Sequence, residues 1–503
     1  MARGCAVASI VGIVPVILFL LAALALSISV RRRSRSGAGF VNDYFIGSRS
    51  LGAFVLAMTT IATYGSVSSF VGGPGQAWTI GWGWVYMAAV QVTALFVLYG
   101  IMGKKMALVS RKLNAVTVID VLRARYRSDA LAIVAALVIV VFFGTTMIAQ
   151  FVGGAKLFAA VTGYSYLTGL VLFGLAVVIF TTIGGFKGVA VTDALCGIAM
   201  LVGIFVLAGG ILHAGGGWDN LMATIERNHP EMMEPLSGGH MPYGLYFTQW
   251  LIVGIFTFCL PQSAVRTMGF RDAKSLRCAM VLGTVIIGAM LIGCTALGTM
   301  SAGVLTDDIS AYGSIDNIIP TAIVSTLPPW LAGVAIIGPI AASISTVSSL
   351  LIAASSAIVK DIWIHYGSRA GKTASDRTIE VSSQAATLGI GFVVFVLAVT
   401  PPAVIWQINM FAFGGLETAF CWVFLGALFW RRANKYGALL SMVGGTAAYC
   451  VCMALGIKLF GLHQITIGLT VALLLMVVGS LAFKDRECSH LPVFFGESSR
   501  SDL

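Results

Sequence analysis

Ser345 and Thr346 place two hydroxyl groups side by side in a segment, residues 338–349, that is rich in small residues and holds no carboxylate. Hard cations prefer oxygen ligands, and a set of uncharged oxygens suits sodium better than calcium. The alternative is that both hydroxyls only bond back to the preceding helical turn, as buried serine and threonine often do. The segment is therefore a candidate cation site.

Polar stretches interrupt two apolar segments, at residues 59–69 and 254–263; the first is followed by Gly72-Gly73-Pro74-Gly75, and the second contains Pro261. A broken helix frees backbone amides and carbonyls, which membrane depth tolerates only where they line a cavity or bind an ion. The alternative is that glycine and serine merely allow close helix packing. Because the two interruptions lie five segments apart, a five-helix unit repeated in the opposite orientation would bring both to the midplane, as is typical of secondary transporters.

The elements that position these residues follow from composition. Of 503 residues, 58% are hydrophobic and only 10% charged, and the mean hydropathy is +0.94. Such a chain cannot cover a water-facing surface, which excludes a soluble enzyme, a disordered scaffold and a nucleic-acid-binding domain despite the net charge of +11. We predict an all-α polytopic membrane protein with thirteen spans, at about 7–30, 50–72, 78–102, 130–155, 166–186, 193–214, 243–263, 278–300, 328–358, 380–400, 402–430, 437–459 and 465–483.

Charge asymmetry predicts the orientation of these spans in the cell (inner) membrane. A cluster of arginines at 31–35 follows span 1, whereas a secretory signal places its charges first, so we expect a retained helix with its N-terminus outside. That orientation puts 27 of the 31 Lys and Arg residues inside, Arg266 in the loop after span 7 among them. We expect one transmembrane domain, 1–484, with repeats at about 50–214 and 243–430, and a short cytoplasmic tail, 485–503.

Rival functions lack the residues they require. The six histidines (His213, His229, His240, His365, His463 and His490) fall in predicted loops or near span ends, without a His-Glu-x-x-His motif or an intramembrane pair of aspartates. The nine cysteines show no metal or redox spacing. We therefore expect no enzyme activity, and the short tail offers no signalling domain that would favour a sensor or channel.

Several motifs resemble those of the sodium:solute symporter family. Residues 42–52, NDYFIGSRSLG, resemble the family's motif before span 2, and residues 182–187, TIGGFK, resemble its mid-chain signature, although Gly188 departs from it. The resemblance runs from about residue 40 to 460. Four further stretches are most similar to members that carry pantothenate: 62–64 with 68–75, 114–117 with 124–126, 260–261 with 264–266, and 412–417.

The resemblance implies the LeuT-like inverted-repeat fold, with spans 2–6 and 7–11 as the two repeats. It also implies the residues that bind the co-transported sodium ion, namely the backbone oxygens of Ala62, Gly65 and Ala342 and the hydroxyls of Ser345 and Thr346. Asp193 matches a family carboxylate that helps sodium leave. Its alternative role is that of an ordinary residue near the positive end of a helix.

The resemblance further implies sodium-coupled uptake of a small organic anion, pantothenate, by alternating access; related members carry proline, sugars, sialic acid or monocarboxylates. Membrane lipid is the other expected partner, with no nucleic acid and no obligate protein partner. The freed amides of spans 2 and 7 suit the substrate carboxylate. Glu417 could be protonated, bind sodium or pair with a backbone amide, and Trp250 could belong to an interfacial aromatic belt. The polar candidates, each also a possible helix-packing residue, are Thr63, Ser66, Ser69, Gln91, Gln249, Trp250, Gln262, Gln407 and Glu417.

Overall fold

The computed structural model describes residues 2–34, 52–239, 241–269, 272–369, 375–483 and 491–496, and the regular structure in these ranges is helical throughout. Large apolar side chains such as Val285 and Phe392 point away from the protein, as lipid-facing residues do. Twelve helices in the described ranges are long and apolar enough to cross a membrane: Val11–Ser29, Trp82–Lys112, Asp129–Thr162, Tyr166–Ile183, Val191–Ala214, Tyr243–Met268, Ala273–Ser301, Pro329–Gly367, Arg377–Ala398, Ile405–Phe429, Lys435–Ala454 and Ile465–Ala482.

Span 2 supplies the thirteenth crossing and is divided into pieces. A helix covers Ala53–Tyr64, a π-helical turn covers Ser68–Gly72, and a final helix covers Gly73–Ile80. No single piece has the length of a span, although together they cover 28 positions, enough to cross a bilayer. The predicted span count is therefore confirmed with span 2 as a broken helix. The motif at 42–51 lies outside the described residues.

The first helices of the two repeats run in opposite directions between two faces of the protein. We name these faces after Asp316 and Asp120, which lie in segments that connect the spans on opposite sides of the protein. Span 2 ends at the Asp316 face, where Gly75 lies against the backbone of Ile315. Span 7 begins at that face and ends beside the helix Lys104–Lys112 at the Asp120 face. The predicted inversion of the second five-helix unit is therefore present.

The helical segment Tyr166–Ala214 contains both span 5, Tyr166–Ile183, and span 6, Val191–Ala214. These two spans run in opposite directions. The Tyr166 hydroxyl donates to the Ala398 carbonyl at 2.6 Å, and Gly210 lies against Leu327. Both contacts are at the Asp316 face. The chain therefore crosses the membrane twice between these ends, as predicted.

Arg125 joins the two repeats at the Asp120 face. It follows a capping box in which Thr117 and Asp120 begin the short helix Val118–Tyr126. The Arg125 side chain is 2% exposed and satisfies carbonyls that the end of span 11 leaves without helical partners. These acceptors are the backbone oxygens of Ala427, Trp430, Arg431 and Ala433.

Candidate functional site

The break in span 2 lies within the predicted polar stretch. The helix ends at Tyr64, and Gly65 takes an extended conformation, φ −70° and ψ 115°. A Cβ at position 65 would lie 2.6 Å from Cε of Met290 and 3.2 Å from the carbonyl oxygen of Ile61. Glycine therefore allows the Met290 side chain of span 8 to pack directly against the break, and a larger residue here would displace that flexible side chain.

The five oxygens predicted to bind sodium lie together where this break meets span 9. The hydroxyl of Ser345 donates to the carbonyls of Ala62 at 2.8 Å and Ala342 at 3.0 Å. The hydroxyl of Thr346 donates to the carbonyl of Gly65 at 3.3 Å. All five residues are buried. The arrangement gives three carbonyls and two hydroxyls that face one another, each uncharged, as a desolvated monovalent cation requires.

Gln150 in span 4 stabilises the break and was not singled out from the sequence. Its side-chain oxygen accepts a hydrogen bond from the backbone amide of Val67 at 2.9 Å. Its backbone carbonyl accepts one from the hydroxyl of Ser343 at 2.8 Å. Gly153, one turn further on, lets Val67 approach, since a Cβ there would lie 2.3 Å from it. A lone, fully buried amide inside an apolar span was the available signal, because such a group needs a polar partner.

Span 7 is broken in the same way as span 2. Its π-helical and 3₁₀ turns end at Leu260, which has φ −62° and ψ 125°, and a new helix covers Pro261–Met268. Proline suits the first position of that helix because its missing amide would have no helical partner. The Tyr64 hydroxyl, beside the first break, donates to the carbonyl of Val253 in span 7. The two breaks are therefore neighbours.

Asp193, the third residue of span 6, Val191–Ala214, lies in a buried polar cluster. Its carboxylate accepts the Thr59 hydroxyl at 2.7 Å and pairs with Arg266 at 3.2 Å, and both charged side chains are almost fully buried. The prediction that Arg266 lies in a loop is wrong, because the residue is inside span 7, Tyr243–Met268. The helix Pro261–Met268, which follows the break in span 7, places Arg266 in the interior of the protein.

A cavity of about 460 Å³ lies at the Asp316 face, lined by residues of spans 2, 3, 7 and 11. Of the predicted substrate residues, Gln249 and Gln407 line it, and so do two tryptophans that the sequence analysis missed, Trp84 and Trp406. Their rings meet edge to face with centroids 5.2 Å apart. The cavity is of the size that holds a small organic molecule, and it combines aromatic walls with a few polar groups.

Glu231 lies at the mouth of this cavity and pairs with a histidine. His229 contacts the carboxylates of Glu231 at 3.2 Å and Asp307 at 2.9 Å. Partial burial alone would lower the pKa of His229, but these two carboxylates outweigh it and raise the pKa above its ordinary value. The pair with Asp307 joins the two long loops of the Asp316 face.

The other predicted substrate residues do not line the 460 Å³ cavity. Gln262 lines a small cavity on the Asp120 side. Ser66 and Gln91 are buried, Ser69 and Trp250 are half-buried, and the side chain of Thr63 lies outside the described residues. The Trp250 ring packs against Tyr246 and Phe247.

Glu417 in span 11 is fully buried beside the break in span 7. The sulfur of Cys259 lies 3.8 Å from the Glu417 backbone carbonyl, and its thiol donates to the nearer carbonyl of Phe256 at 2.7 Å. Neither carboxylate oxygen accepts a hydrogen bond from the part of the chain that the structure describes. The neighbouring Cys259 thiol would be a poor ligand for a hard cation such as sodium, and the Glu417 carboxyl group does not line the 460 Å³ cavity.

Comparison with known proteins agrees with this geometry. The profile of the sodium:solute symporter family matches residues 44–445. The chain is 37% identical over 447 residues to the sodium/pantothenate symporter of Haemophilus influenzae, covering 89% of this chain and 91% of the relative. It is 36% identical over 469 residues to the sodium/pantothenate symporter of Escherichia coli, covering 93% and 96%.

A solved structure of a Na⁺-coupled sialic acid symporter, in a substrate-bound outward-open state, superposes with a TM-score of 0.77 at 19% identity. The superposition covers 94% of this chain and 98% of that one. At this identity the likeness shows the fold, which is the inverted-repeat fold expected from the sequence. The family consists of membrane transporters rather than enzymes. This chain belongs to the sodium:solute symporter family.

Proposed function

We propose that the chain is a sodium-coupled symporter that imports pantothenate. The observation that carries this proposal is the identity of 36–37% to two sodium/pantothenate symporters over about nine-tenths of the chain. The proline transporters among the relatives are only 24–28% identical. Another small organic anion carried on the same frame is the second candidate.

Sodium binds between the break of span 2 and span 9, at Ala62, Gly65, Ala342, Ser345 and Thr346. The distances of 2.8–3.3 Å between the hydroxyls and the facing carbonyls support this assignment. The Ser345 hydroxyl can turn its proton away and offer a lone pair to the ion. Three of these oxygens come from span 9 and two from span 2, so a bound ion ties the two repeats together.

Pantothenate enters through the 460 Å³ cavity, where Gln249 and Gln407 offer amide groups and Trp84 and Trp406 offer apolar faces. Its carboxylate goes to the breaks, because the helix Pro261–Met268 begins there and a helix start favours negative charge. Ser66, Ser69, Gln262 and the side chain of Thr63 are the candidates for the remaining polar groups. Gln91, Trp250 and Glu417 act indirectly, by packing behind the breaks.

The Asp316 face lies outside the cell and the Asp120 face inside. The positive-inside rule supports this orientation, which places the N-terminus outside and the tail in the cytoplasm. Lipid covers the apolar outer faces of the spans. Sodium favours the state open to the Asp316 face, pantothenate then binds, and the repeats rock around the fixed site to open the Asp120 side.

Uptake of labelled pantothenate into liposomes that hold the purified chain tests the function. We expect uptake with an inward sodium gradient and little with the gradient replaced by potassium. Competition by unlabelled proline, lactate and sialic acid separates pantothenate from the alternative solutes. Uptake that does not depend on the sodium gradient would refute sodium coupling. Strong competition by another solute would refute the assignment of pantothenate as the substrate.

A further inference from the structure

Three oxygens from three spans hold the guanidinium of Arg266. It donates to the hydroxyls of Thr59 in span 2 and Ser349 in span 9, each at 2.5 Å, and to the carboxylate of Asp193 in span 6 at 3.2 Å. All four side chains are at least nine-tenths buried. Arg266 itself belongs to span 7, so the cluster joins helices of both repeats.

The cluster lies directly beside the proposed sodium site, on its Asp120 side. Ser349 follows Ser345 by four residues along span 9, and Thr59 precedes Ala62 by three along span 2, about one helical turn in each case. On the Asp120 side of the cluster, Arg266, Ser349 and Thr117 line a cavity of only about 30 Å³. That volume has room for about one or two water molecules, so Arg266 and its neighbours leave only a narrow space on the way to this face.

We propose that Arg266 is a latch on the inward path, which opens when Asp193 exchanges the guanidinium for the departing sodium ion. This inference rests on the proposed function. Sodium can compensate the buried Asp193 carboxylate in place of Arg266, and the displaced guanidinium must then move to water on the Asp120 side, because a buried charge without a partner is costly. Release of Arg266 breaks its contacts between span 7 and spans 6 and 9. Departure of the sodium ion is thereby coupled to opening of the path.

The shape of the side chain explains why an arginine stands here. Its planar fork carries five donors, and two of its nitrogens reach three oxygens on three helices at once. A lysine would bring the same charge as a single point and could not hold the three acceptors in that geometry. Arg266→Lys is therefore a graded variant, whereas Arg266→Gln removes the charge.

Hydrogen–deuterium exchange of the purified full chain in lipid nanodiscs tests the latch. The conditions are sodium-free buffer, sodium alone, and sodium with pantothenate, and the peptides cover residues 261–268 and 349–356. We expect wild-type protein to protect these peptides until sodium and pantothenate are both present. Arg266→Gln should exchange them about tenfold faster under all three conditions, since the closed state is lost. Arg266→Lys should fall between the two, and the exposed arginine variant Arg277→Gln should match wild type.

Two results would overturn the latch. One is wild-type protection of both peptides in Arg266→Gln, and the other is faster exchange in every span alike, which would indicate a structural role alone. If Arg266→Gln does not fold, the double variant Arg266→Gln/Asp193→Asn leaves no buried unpaired charge and takes its place. Its exchange should not respond to sodium and pantothenate; a wild-type response would contradict the proposal. Absence of pantothenate uptake by wild type would refute the proposed function instead, while the comparison in sodium alone still decides the latch.

Discussion

Ser345 is the most exacting test of the sodium site, because its hydroxyl lies within 3.0 Å of two of the carbonyls that would share the ion. Ser345→Ala removes one of five oxygens and leaves a methyl group facing the cation. A hydrogen bond to a charged group contributes about 1.5–3 kcal/mol, which predicts a rise of about 10- to 150-fold in the sodium concentration for half-maximal uptake. Thr346 lies further from its carbonyl, at 3.3 Å, and its alanine variant should show a smaller rise.

The assay is initial uptake of labelled substrate into liposomes over a series of sodium concentrations, at matched protein density. Ser355→Ala is the control, because Ser355 is equally buried in span 9 but, among the residues that the structure describes, its hydroxyl donates only to the carbonyl of Ile352 in its own helix. It should leave the sodium dependence unchanged. An unchanged sodium dependence in a well-folded Ser345→Ala/Thr346→Ala variant would refute the assignment of the ion to these oxygens.

Three further predictions concern stability, measured as thermal unfolding in detergent. Gly298→Ala should destabilise the chain by about 2 kcal/mol or more, since its Cβ would lie 2.0 Å from the backbone oxygen of Pro74; Gly293→Ala, which meets only a side chain at 3.4 Å, should change little, and equal losses would contradict the packing argument. Arg125→Gln should cost at least about 2 kcal/mol by leaving buried carbonyls without donors, and an unchanged melting temperature would show that they find other partners. Burial, with the charge of Lys458, lowers the pKa of His463 from 6.5 to about 4, so the folded state holds the neutral ring. The contribution of His463 to the free energy of unfolding is therefore fully present above about pH 6.5 and falls by up to about 3 kcal/mol as the pH approaches 4. His463→Gln should abolish this part of the pH dependence.

Much of the fold could be predicted because it depends on local composition. Apolar length sets the number of spans, and span 2 was found although the structure divides it into short pieces. The breaks were also predictable, since the polar run around Gly65 and the proline at 261 disturb a helix wherever it packs. The grouping of Ser345 with Ala62 followed from the resemblance to the family, which supplied a pairing across 283 residues that periodicity cannot give.

Arg266 illustrates what local reasoning misses. It stands near the end of an apolar segment, and charge counting places such a residue in a loop. The structure places it inside the protein because the helix that begins after Leu260 runs through the interior. Asp193, 73 residues away along the chain, compensates its charge there. Gln150 is a similar case, because its partner is an amide that only the break exposes.

The sequence by itself therefore determined the class of protein, the number of its membrane crossings, their directions relative to one another, and the places where two helices are interrupted. These depend on how each segment partitions between water, lipid and hydrogen-bonded helix, which is a property of the segment alone. Only the tertiary structure decided how closely the oxygens of spans 2 and 9 approach one another, that two tryptophans line the cavity at the Asp316 face, and that Arg266 is buried against Asp193. Those features depend on distances between helices far apart in the chain, and a buried charge or amide is tolerated only where another helix brings its partner.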